Sequence, residues 1–169
     1  MLQRAGLATL LMDLLTPDED RQDRITAHLR FNIGLLAERL LGAASWLQSE
    51  PATRNLRIGC FGASTGAGAA LVAAASRGNP IGAVVSRGGR PDLAGDALAR
   101  VEIPVLLIVG ANDGIVIELN RGALEQLPGE KKLEIIPGAG HLFEEPGTLE
   151  QVADLASKWP NSQLAVPQS

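Results

Sequence analysis

A serine at a bend, a histidine on a glycine-rich loop and an aspartate after an apolar run are the residues whose types could do covalent chemistry together. Phe61–Gly66 reads F-G-A-S-T-G, which places Ser64 in a G-x-S-x-G between an apolar run and an Ala-rich segment. A tight strand-to-helix turn there exposes the hydroxyl at the strand's carboxyl end, over the positive end of the following helix. Glycines two before and two after the serine keep side chains from colliding at such a bend. Two other readings stay open: an inert Gly-rich junction, or a loop that cradles phosphate. The second lacks the Lys-Ser/Thr of a P-loop, and Leu71 stands where a dinucleotide fingerprint needs its third glycine.

A serine hydroxyl needs a base to take its proton and a group to orient that base. The chain holds two histidines, His28 and His141. His28 lies among charges upstream of the serine. His141 follows an apolar run on the loop Pro137-Gly138-Ala139-Gly140, which can carry its ring over a sheet edge. Asp113 leaves the run V-L-L-I-V-G-A-N in between and completes the chain order Ser, Asp, His. Asn112-Asp113-Gly114 is also good turn chemistry by itself, and Asp92 is a second candidate acid. Glu144 and Glu145, beside His141, read as solvated. Arg87 and Arg90 follow another run; their guanidinium groups could bind an anionic acyl group, pair with Asp92 or face water.

Short apolar runs alternating with helical segments must position these residues, a pattern that predicts βαβ units and a parallel sheet. The expected strands are Leu7–Leu14, Leu56–Phe61, Ile81–Val85, Pro104–Val109 and Lys132–Ile136. Most are continuous rather than alternating, as for strands covered on both faces. Asn32 is positioned to cap a helix presenting Leu36, Leu40, Ala44 and Leu47. Further helices are expected over Thr65–Arg77, Asp92–Arg100 and Ile117–Leu127. A last one opens on a Thr148/Gln151 capping box and carries Leu149, Val152, Ala156 and Trp159. Thr16–Arg30 reads as a solvated loop or short helix. The prediction is thus α/β: a doubly wound, mostly parallel sheet of about five strands in one domain over residues 1–160, with a flexible tail at 161–169.

Composition narrows the function classes. The 169 residues are 46% hydrophobic and 20% charged, enough to build a core. Three Phe, two Trp and no Tyr argue against base-stacking surfaces and membrane-interface belts. A net charge of −4 has the wrong sign for a phosphate-backbone binder. The lone Cys60 cannot form an internal disulfide, and it reads as a small buried hydrophobe. No apolar stretch approaches the roughly 20 residues that span a bilayer. The expectation is a cytoplasmic protein with no nucleic-acid or membrane partner, for which a homo-oligomer is a possible state.

Gly62–Gly66 (GASTG), Ser86–Asp92 (SRGGRPD), Leu106–Asp113 (LLIVGAND) and Gly138–Pro146 (GAGHLFEEP) together resemble the α/β-hydrolase superfamily, and within it the dienelactone-hydrolase-like branch. The resemblance runs from about Ala5 to Trp159. It implies Ser64 as nucleophile, His141 as base and Asp113 as orienting acid, with the Thr65 amide as one oxyanion donor. It implies no cofactor and no metal. Dienelactone hydrolases proper carry cysteine at the elbow, so a dienelactone substrate does not transfer. The expected substrate is a small carboxylic ester, thioester or lactone, cleaved through an acyl-serine intermediate. A second oxyanion donor normally comes from a His-Gly-type loop, and the chain contains no His-Gly dipeptide. Relative to the family an N-terminal strand and that loop are missing, which implies a truncated gene product or a gap filled on assembly. Removing one donor costs on the order of 10²–10³ in turnover, so the alternative is a weak or inactive remnant acting as a binding module.

Overall fold

Four of the five expected runs become strands: β1 (Ile58–Ala63), β2 (Ile81–Arg87), β3 (Val105–Gly110) and β4 (Lys131–Ile136). The computed structural model describes residues 1–164, with side chains to Trp159. All neighbours are parallel, in the order β1-β2-β3-β4. The β3 run is buried at every residue, the outcome expected of a central strand with helices on both faces. Its successive side chains part company: Val105 and Leu107 join Val84, Leu71, Leu98 and Leu127 on one face. Leu106 and Ile108 join Val85, Ile136, Phe143, Val152 and Ala156 on the other. One unbroken apolar run thereby serves two cores.

The helices are α1 (Pro17–Thr26), α2 (Ile33–Ser49), α3 (Thr65–Ala74), α4 (Gly114–Gln126) and α5 (Thr148–Leu164). Asn32 caps α2 as expected, its side chain accepting from the Leu35 N–H. Thr16–Arg30 contains an ordered helix rather than only a loop. Thr16 and Glu19 form a reciprocal capping box there, and Glu19 also pairs with Arg39 of α2. Pro91–Arg100 is two 3₁₀ turns broken at Gly95 (φ +51°). At α5 the Thr148 hydroxyl donates to the carbonyls of Phe143 and Glu145, so it closes the preceding loop instead of forming a capping box with Gln151. That helix also runs into the expected tail, of which 165–169 lie outside the described residues.

Leu7–Leu14 is the correction. It has no regular structure, because an apolar run becomes a strand only where a neighbouring ladder accepts its backbone groups. The segment instead lines a groove of about 670 Å³ whose other walls are β1 and α2. Among the described residues β1 pairs only with β2, so its outer edge is open along this groove. Leu11 is 98% exposed there, with Leu56 and Phe61 about half exposed. An unpaired edge in apolar surroundings is a template for association. Size-exclusion chromatography is therefore expected to show elution shifting toward larger species with concentration. Leu11→Lys with Leu56→Lys should reduce that shift; a double variant eluting like wild type would exclude the groove as the contact.

Candidate active site

Because the strands are parallel, all four carboxyl ends open on one edge, and each contributes a loop to it. Ser64 follows β1, Gly88–Arg90 follows β2, Asp113 follows β3 and His141 follows β4.

Ser64 has φ +50° and ψ −125°, a conformation that costs a non-glycine residue about 1–3 kcal/mol. The bend lets β1 and α3 cross closely. A Cβ on Gly62 would sit 2.6 Å from the Gly66 carbonyl oxygen and 2.8 Å from Ala67 Cα. The expected symmetry of the two flanking glycines does not hold, since a Cβ on Gly66 would meet only Leu14 Cδ1 at 3.8 Å. Gly68 is the helix glycine that packing requires, its Cβ position lying 2.9 Å from the Arg90 carbonyl oxygen. Ser64 is exposed, and its hydroxyl does not cap the helix it precedes. Thr65 opens α3, so its N–H belongs to the unpaired first turn, at the positive end of the helix dipole.

Asp113 stands at the N-cap of α4 but does not cap it. Its Oδ2 lies 2.6 Å from His141 Nδ1 instead. A proton on Nδ1 donated to this carboxylate leaves Nε2 as the acceptor; that tautomer is assigned from the pairing. The aspartate side chain is 16% exposed and the histidine 44%, so the pair is shielded at one end and open at the other.

Backbone bonds fix the loops that bring the pair together. The Asn112 N–H donates to the Ala139 carbonyl and its side-chain amide to that of Gly138, both at 2.9 Å. Gly110 faces the same loop, with the Gly140 carbonyl oxygen 2.5 Å from where a Cβ would stand. Glu145 is not the solvated group its neighbours in sequence suggested: Oε1 accepts the Gly140 N–H at 2.9 Å and Oε2 is buried. Asn112 and Glu145 were missed as holders of the histidine loop. Nothing local to their sequence signals partners 26 and 5 residues away.

The other candidates are placed differently. Arg87 lies over the Phe143 ring at 5.5 Å and donates to the Leu142 carbonyl, so it braces the histidine loop. Arg90 makes a two-pronged bond to Asp92, at 2.9 and 2.7 Å, which occupies both the second arginine and the second candidate acid. His28 is exposed, beside a 3₁₀ turn upstream of α2. Among the described residues no cluster of His, Cys, Asp and Glu could hold a metal ion, and no helix is long and apolar enough to cross a membrane.

Cys60 packs against the core from β1, and burial pushes its thiol up to about 11. At pH 7.5 the thiolate fraction falls to roughly 10⁻³ or below, against about a tenth for an unperturbed cysteine. Iodoacetamide should accordingly alkylate Cys60 in folded protein at least about a hundredfold slower than free cysteine. Alkylation at the free rate, read by intact-mass spectrometry, would contradict this placement.

Parallel strands with helices on both faces, a strained serine after one strand and an Asp–His pair on loops after two others define the α/β-hydrolase fold. Residues 2–162 match the profile of the Dienelactone hydrolase family, and the chain belongs to that family. It is 62% identical to a dienelactone hydrolase from Anabaena variabilis, with a TM-score of 0.92, covering 96% of this chain and 75% of that one. Est1E from Butyrivibrio proteoclasticus shares the fold at 17% identity and TM-score 0.67, covering 79% of this chain and 71% of that one. A protein of Mycobacterium tuberculosis (strain H37Rv), provisionally named a phosphoribosyl transferase, is 57% identical over 167 residues. That match takes in 99% of this chain but 37% of the relative, so the chain spans little more than a third of its length.

Proposed function

We propose that the protein is a serine hydrolase that cleaves a small carboxylic ester, thioester or lactone through an acyl-serine intermediate. Ser64 Oγ attacks the carbonyl carbon while His141 Nε2 takes its proton; the C–O or C–S bond then breaks and the same proton passes to the leaving group. Water repeats the sequence, releasing the acid and restoring the serine. Asp113 holds the imidazolium that forms at each stage, and the Thr65 N–H donates to the oxyanion. The observation that carries this reading is the 2.6 Å His141–Asp113 pair on the sheet edge where Ser64 is held in a strained conformation.

Two tests bear on it directly. Purified protein should release p-nitrophenol from p-nitrophenyl acetate, and a fluorophosphonate probe should label one site, located at Ser64 by peptide mass spectrometry. Folded protein that does neither would favour the second reading, a hydrolase-fold binding module. That reading draws its support from the single assigned oxyanion donor, since removing one donor costs on the order of 10²–10³ in turnover. The transferase name belongs to the mycobacterial relative, of which this chain matches 37%. The glycine-rich turn here carries no Lys-Ser/Thr to cradle phosphate. Incubation with phosphoribosyl pyrophosphate should release no pyrophosphate above the uncatalysed rate.

A further inference from the structure

The three candidate residues stand on separate loops, and a short turn after β2, Gly88-Gly89-Arg90, touches two of those loops and the helix that starts at the third. Its far end holds the elbow, the Arg90 N–H donating to the Ser64 carbonyl at 3.0 Å. Its near end lies under the histidine. Gly88 has φ +51°, and a Cβ there would stand 3.0 Å from the His141 carbonyl oxygen and 3.8 Å from its ring Cε1. In the middle, a Cβ on Gly89 would collide with the Ser86 hydroxyl and with Ala67 of α3. The turn is therefore wedged between the serine's helix and the histidine's loop, with no slack for side chains.

One side chain fixes the middle of it. Asn120 is fully buried in α4, two turns beyond Asp113, and its amide donates to the Gly89 carbonyl at 3.0 Å and to the Val116 carbonyl at 2.8 Å. Its Oδ1 is buried with no hydrogen-bond partner among the described residues. An amide half satisfied in an apolar core is a poor choice for stability, since the unmet acceptor keeps its desolvation cost. An apolar residue of similar size would pack there without that cost. What the amide supplies, and an apolar residue would not, is a fixed distance between α4 and the turn.

We propose that Asn120 is a positioning residue: through Gly89 it sets the placement of Ser64 relative to the His141–Asp113 pair. The inference rests on the hydrolase reading above. It acts on no substrate atom. Losing the bond frees Gly88–Arg90 to shift, and a displacement of about 1 Å at a reacting group costs on the order of 10²-fold in rate.

The experiment compares wild type with Asn120→Leu, and with Asn120→Ala as the helix-favouring substitution least able to prevent folding. Active sites are counted by the fluorophosphonate end-point, so that every rate is expressed per folded site. For each variant the expected result is a 10- to 100-fold fall in kcat for p-nitrophenyl acetate and in the labelling rate, with KM within about twofold of wild type. The downfield proton resonance of the His141–Asp113 hydrogen bond should persist, because the bonds from Asn112 and Glu145 that hold the histidine loop do not involve Asn120. Unchanged rates per site would overturn the inference whatever happened to the melting temperature. So would loss of the resonance, which would mean that α4 itself had moved. A wild-type protein that neither turns over nor labels would overturn the hydrolase reading, and the positioning role with it.

Discussion

Ser64→Ala is expected to lower kcat for p-nitrophenyl acetate by about 10³–10⁴-fold, with no measurable fluorophosphonate labelling. The size of the loss follows from two opposing terms. Removing the nucleophile of a complete serine-hydrolase site costs on the order of 10⁶. With the Thr65 N–H as the one assigned oxyanion donor, a wild type working on that donor alone would already be about 10²–10³ slower, leaving correspondingly less to lose. A fall approaching 10⁶ would show that the second donor is present after all. The same position makes a separate prediction about stability. Alanine keeps the Cβ and therefore the strain at φ +50°, whereas glycine adopts this conformation freely. Relief of about 1–3 kcal/mol, less about 0.5–1 kcal/mol for glycine's extra freedom in the unfolded chain, leaves a net gain near 1 kcal/mol. Ser64→Gly should then melt about 2–4 °C above Ser64→Ala by calorimetry, while being equally inactive. Equal melting temperatures for the two would mean that the elbow stores no strain.

Strain of this kind explains why the candidate site was more legible in the sequence than some of the fold. A G-x-S-x-G is weak evidence as a string, but between an apolar run and an Ala-rich helix it admits few backbone paths, and that context places Ser64. Asp113 and His141 were reached by chain order and by the expectation that each leaves a strand end. The parallel sheet then set them side by side. Strands β2 and β3 are likewise written in continuous apolar runs, whereas β4, K-K-L-E-I-I, carries charges between its apolar residues. Leu7–Leu14 carries the same signal and fails as a strand, because composition reports that a segment can be buried, not that a ladder stands beside it. Asn120 and Glu145 were illegible for the opposite reason. Each is a polar residue whose role comes from a carbonyl or amide that the fold brings to it, 31 residues away for Asn120. Arg87 and Arg90 were visible as charges near the site, but their commitments to Phe143 and Asp92 depend on rotamers and neighbours that spacing does not encode.

Asp113→Asn is expected to remove nearly as much activity as Ser64→Ala while leaving the fold almost untouched. Asparagine is the same shape, so the 2.6 Å contact with His141 can be kept; what changes is which partner supplies the proton. With an amide as donor, Nδ1 becomes the acceptor and the ring proton moves to Nε2, the nitrogen that in the proposed mechanism must be free to take the serine's proton. In a complete triad this tautomer error costs about 10⁴ in kcat. Here the loss is bounded by that of Ser64→Ala, because two changes that disable one relay do not add. We therefore expect a fall of about 10³-fold in kcat, with KM little changed, and the Ser64→Ala/Asp113→Asn double variant no slower than Ser64→Ala alone. The probe separates the two roles. Asp113→Asn retains the nucleophile and should still be labelled at Ser64, only far more slowly, whereas Ser64→Ala should never be. The pair is partly open to solvent, so the melting temperature should move by no more than a few degrees. Wild-type turnover in a folded Asp113→Asn variant would remove Asp113 from the relay. It would leave the histidine without an orienting acid, since the other candidate, Asp92, already has both carboxylate oxygens committed to Arg90.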